Sequence, residues 1–173
     1  PGTDRMFWED TVDWAEAQGD TALVATLVEN GPPPYADILA YEAALSHEHD
    51  WNPYPEFDND GEMPATLFVP ENTLMDQFNG LRAFLDTFAV LYPRIQEVDL
   101  RQDTAQLEVP VYIVAGEHEA RGRAVLADEW FELLDAPSKE RIVFEGSGHR
   151  PSFEEPGRFA QLMRRVRDET YPA

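Results

Sequence analysis

Two short apolar runs, each closed by glycine and each followed by a titratable side chain, restrict this chain more than any other feature. The first holds Val111, Ile113 and Val114 and ends at Gly116, with Glu119 three residues beyond. The second holds Ile142, Val143 and Phe144 and closes in Gly146-Ser147-Gly148, with His149 next. Such runs read as buried strands. Thirty residues separate Glu119 from His149. That length accommodates a loop, a helix over about Ala124 to Asp135, a turn at Ala136-Pro137-Ser138 and the second strand, which is one βαβ unit. A right-handed crossover puts both strand ends on one rim, and open α/β sheets bind ligands at that rim. A carboxylate facing an imidazole there is the orienter-and-base half of a nucleophilic triad.

At Gly116/Glu119 and Gly148-His149-Arg150-Pro151 the chain resembles the C-terminal part of the α/β-hydrolase family, in its proline iminopeptidase-like branch. The resemblance covers residues 109 to 170 specifically; residues 1 to 108 contribute only helical character and order along the chain. It implies an α/β fold class, the C-terminal part of an α/β-hydrolase with a mainly helical cap. It also implies that His149 and Glu119 are catalytic, with Glu119 in place of the commoner Asp. In that branch, cap carboxylates hold the substrate's free amine, which makes Glu42, Glu48 and Asp50 the substrate-binding candidates here.

The family's nucleophile sits on a G-x-S-x-G elbow ahead of the acid and histidine. The four serines are Ser46, Ser138, Ser147 and Ser152; none lies in that motif, and there is no cysteine. The N-terminal Pro-Gly-Thr-Asp-Arg lacks an initiator Met. The expected partner is therefore an N-terminal half of the hydrolase, as a separate chain or a removed segment, that carries the nucleophile. The expected substrate is a small molecule or a peptide, with a peptide, amide or ester bond cleaved. Two alternatives stay open: an Asp nucleophile, as in dehalogenases and epoxide hydrolases, or a non-catalytic interaction protein of the same shape.

Composition excludes several classes. The net charge of −21 disfavours nucleic acid and anionic membranes. No apolar run approaches the ~20 residues of a membrane helix, and 43% hydrophobic content argues against disorder. No signal peptide is visible, which favours a cytoplasmic location. No cofactor and no metal are expected. His47-Glu48-His49-Asp50 places its histidines two apart, facing different ways on a helix. Asp58-Asn59-Asp60-Gly61 has Leu67 where a calcium loop needs Glu, so it reads as an acidic turn.

Two regions follow: a helical cap over 1–106 and a core segment over 107–173 with two strands and two helices. In the first, helices are expected from Met6 to Gly19, over Ala22 to Glu29, over Tyr35 to His49, and over Glu71 to Tyr92, where Pro93 closes the last. The last carries Leu74, Phe78, Leu81, Leu85, Phe88 and Leu91 on one stripe. Residues 50 to 70 read as an ordered loop. In the second region, Ser152-Phe153-Glu154-Glu155 reads as a capping box for a final helix with Phe159, Leu162, Met163 and Val166 inward.

Overall fold

The computed structural model describes residues 2–35, 37–55, 57 and 69–171. The chain is mostly helical, with a small two-stranded parallel sheet. Helix α1 (Gly2–Gln18) buries Phe7, Thr11 and Ala15, spaced four apart and so on one face. The Asp20 carboxylate caps α2 (Thr21–Asn30) by accepting from the Leu23 N–H at 3.0 Å. Asp37 caps α3 (Ile38–Leu45) in the same way. The helix expected over 35–49 is thus two pieces. Its second piece is α4 (Glu48–Trp51), started where His47 Nδ1 meets Asp50 Oδ2 at 2.8 Å. Leu27, Tyr35, Ala44 and Tyr92 form the buried centre of this helical layer.

Thr73 and Asp76 form a reciprocal capping box at the start of α5 (Leu74–Ile95). The helix runs through Pro93 instead of stopping there. In the last turn the proline's missing N–H costs a single hydrogen bond. The apolar stripe exists but is mostly uncovered among the described residues: Leu74 is 85% and Phe78 63% exposed, while Phe88 packs on the core. A short α6 (Leu100–Asp103) follows. The loop reading over 50–70 lies partly outside the described residues, and the acidic turn Asp58-Asn59-Asp60-Gly61 wholly so.

Strands β1 (Val111–Gly116) and β2 (Lys139–Phe144) pair in parallel, from Val111 opposite Lys139 to Gly116 opposite Phe144. The crossover helix α7 (Arg121–Leu133) starts three residues earlier than the pattern suggests and lies against α1. Gly122 permits that approach, since a Cβ there would run into the Thr3 carbonyl and Phe7.

The end of the chain corrects one expectation. The Ser152 capping box does not form. Pro156 opens the final helix α9 (Pro156–Thr170). A residue before proline avoids helical geometry, so Glu155 sits at φ −125°, ψ 60° and breaks off a separate turn, α8 (Pro151–Glu154). Leu162 is buried on α9, whereas Met163 faces solvent.

Candidate active site

The two strand ends are laced together. The Glu117 N–H donates to the Phe144 carbonyl (2.9 Å) and the His118 N–H to the Ser147 carbonyl (3.0 Å). Gly116 is buried at the crossing, with no room for a Cβ against the Ser147 and Gly148 carbonyls. The adjacent turn is held from below. Glu155 Oε1 accepts from Ser147 Oγ (2.8 Å) and the Gly146 N–H (3.1 Å). Glu154 Oε2 accepts from the Gly148 N–H (2.9 Å), and its Oε1 accepts from the Tyr54 hydroxyl (2.6 Å). Glu155, expected to reach back in a helix cap, instead clamps the histidine turn, and Glu154 joins it.

That framework brings His149 Nδ1 to 2.9 Å from Glu119 Oε2. A carboxylate only accepts, so Nδ1 carries the proton and Nε2 is the nitrogen left for proton transfer. The His149 side chain is 53% exposed and that of Glu119 13%. The acid is therefore shielded while the imidazole remains reachable. The second Glu119 oxygen accepts from Arg123 Nε (2.6 Å) and from the Ala120 N–H (2.9 Å). Burial alone would raise the Glu119 pKa; the hydrogen bond from His149 and the charge and hydrogen bond of Arg123 outweigh it and hold the carboxyl below its ordinary value.

A depressed folded-state pKa stabilises the protein above the unfolded value, about 4.3 for Glu, and that stability is lost as pH falls through the folded value. Urea midpoints should therefore drop below about pH 5 in the native protein. Glu119→Gln should be less stable near neutrality and show a shallower acid slope; equal slopes would contradict this electrostatic picture.

The other site candidates are placed as follows. Glu48 is buried, and its Oε1 receives Arg123 Nη2. Asp50 meets His47, and Glu42 is exposed on α3. Beside the pair, Glu117 is exposed and Arg121 reaches Asp10 and Glu9 of α1. Ser147 is fully buried on Glu155, and among the described residues no serine hydrogen-bonds to His149. Sequence reasoning missed Tyr54 and Asn52. The Tyr54 ring lies parallel to that of His118, centroids 5.6 Å apart, and Asn52 Nδ2 donates to the His118 carbonyl at 2.8 Å. No local pattern marks either residue, because both contacts span more than sixty positions.

Two curated proteins of Bacillus subtilis (strain 168) are similar to parts of the chain. A probable aminopeptidase, YbaC, is 34% identical over 59 residues, which is 34% of this chain and 19% of that protein. The AB hydrolase superfamily protein YclE is 34% identical over 74 residues, 42% of this chain and 25% of that protein. The matched stretches thus span a quarter or less of those relatives' lengths. No protein-family profile matches the chain, and no solved structure matches it significantly. The two names suggest an α/β-hydrolase relationship, and with it a hydrolase function.

Proposed function

We propose that this chain is the cap and the acid–base segment of a serine α/β-hydrolase that cleaves a peptide, amide or ester bond. The observation that carries the reading is the 2.9 Å contact between His149 Nδ1 and Glu119 Oε2, at the C-terminal ends of two parallel strands. In this role His149 Nε2 takes the proton from a serine of the upstream half and returns it to the leaving group. Glu119 holds the tautomer and stabilises the imidazolium. The proline iminopeptidase-like branch is the preferred specificity, with the substrate's amine met by a cap carboxylate. Of the three candidates, Glu42 is the exposed one with its carboxylate uncommitted to Arg123 or His47.

The uncovered surfaces agree with an upstream half. Two strands make a marginal sheet in water, and among the described residues a long apolar helical stripe on α5 is mostly uncovered. Residues 1–173 alone should be inactive on activated esters and bind a hydrophobic dye. Joining them to the upstream half should restore turnover and quench the dye. Turnover by residues 1–173 alone, or none after joining, rejects the reading.

A further inference from the structure

We infer that Glu48 and Arg123 are positioning residues for His149, forming a relay that makes the helical layer set the orientation of the acid. The inference rests on the hydrolase reading for its consequence in turnover, but its geometry stands apart from it.

The relay begins with Arg123, in the first turn of α7 and four residues after Glu119. Its Nε occupies Glu119 Oε1, which the Ala120 N–H also holds. With one oxygen fixed at two points the carboxylate cannot swing, and the other oxygen is aimed at His149 Nδ1. A guanidinium fork serves here where an ammonium would not, because two separate nitrogens must reach two separate carboxylates. Nε takes Glu119 and Nη2 takes Glu48.

Arg123 is itself held by the helical layer. Its guanidinium lies 4.6 Å from the centroid of the Phe7 ring on α1. Burial alone would weaken its grip on its proton; the charges of Glu48 and Glu119 outweigh this and raise its pKa. Glu48 of α4 is buried and ends the relay. The same short helix region reaches the acid loop a second time, through Asn52 Nδ2 on the His118 carbonyl. Two links thus run from one element of the helical layer to the turn carrying Glu119.

The charges make the relay testable. Glu48, Arg123 and Glu119 together carry one net negative charge, which becomes zero when His149 takes a proton. The other groups nearby include Tyr41, on which Asp4 and Glu42 also act, Tyr54, on which Glu154, Arg150 and Glu48 act, and Glu154 on the histidine turn. Glu48→Gln removes a negative charge and leaves Arg123 free to draw more on Glu119, so it should weaken the hydrogen bond from His149 Nδ1 and move that proton's signal upfield. Arg123→Met removes the competing positive charge and should move the signal downfield. kcat should fall roughly 10-fold for the first variant and about 10- to 100-fold for the second.

The experiment follows the His149 Nδ1 proton by NMR in the wild-type protein and both variants, alongside kcat in the joined enzyme. Shifts of opposite sign support the relay; no shift, or shifts in one direction, overturn it. Because the NMR measurement needs no turnover, an enzyme without activity defeats the hydrolase reading and leaves the relay to be judged on the proton signals. If a single variant fails to fold, the double variant Glu48→Gln/Arg123→Met removes the buried pair together, which proteins tolerate better than losing one partner. Melting temperature should recover in the double variant while kcat stays low, since Glu119 has lost its clamp. Recovery of kcat together with melting temperature would make the pair merely structural and overturn the proposal.

Discussion

His149→Ala in the joined enzyme is expected to lower kcat by about 10³-fold or more with KM little changed. The magnitude follows from what the ring does. On the proposed mechanism, its loss leaves the nucleophile's hydroxyl with no base within reach and the leaving group with no acid. Residual rate would come from binding and from whatever donors polarise the substrate. Because triad members act as a unit, Glu119→Gln and the double variant should add little to the loss. The fold should survive, because the His149 side chain is half exposed and its hydrogen bond among the described residues is to Glu119. Steady-state kinetics on an activated ester with a thermal melt alongside checks both halves of the expectation. A loss below 10-fold would remove His149 from the chemistry.

Gly116→Ala is expected to have the largest structural effect of any single methyl group here. The glycine ends β1 where the histidine turn crosses over it, and an added Cβ would drive into the carbonyl oxygens of Ser147 and Gly148. Those are backbone atoms of a turn whose Gly146 and Gly148 N–H groups donate to Glu155 and Glu154, so they cannot yield as the tip of a side chain would. Overpacking of this kind costs about 3 kcal/mol, which for a chain of this size lowers the melting temperature by on the order of 10 °C. The same displacement would pull His149 from Glu119, so kcat should fall as well. A variant that melts within 2–3 °C of wild type would mean the crossing is looser than its geometry implies. Gly19→Ala gives a contrasting control: nothing lies within 4 Å of its Cβ position, and its cost comes only from a φ of +72°.

What the sequence revealed and what it hid divide along physical lines. The strand ends were legible because β-branched residues followed by glycine are local signals, and the pairing of Glu119 with His149 followed from their spacing. Helix starts with a side-chain cap, such as Asp20 before α2, were equally local. Glu155 was misread because a capping box and a clamp on the preceding turn use the same letters; Pro156 decides between them, by disfavouring helical geometry at Glu155. Pro93 was misread as a stop because its cost depends on how near the helix end it falls. Glu48 was singled out as an acid, but its partner Arg123 lies 75 positions away. Nothing in either local pattern announces a contact of that range. The α5 stripe was legible as amphipathic, yet among the described residues most of it is uncovered.

The central claim is that this chain supplies the base and the acid, and that a serine elsewhere supplies the nucleophile. The most direct measurement is to treat the joined enzyme with a fluorophosphonate, digest it and locate the adduct by mass spectrometry. The adduct should lie on a serine outside residues 1–173, and its formation should slow sharply in His149→Ala. No adduct in an active enzyme, or one on Ser46, Ser138, Ser147 or Ser152, would contradict the account.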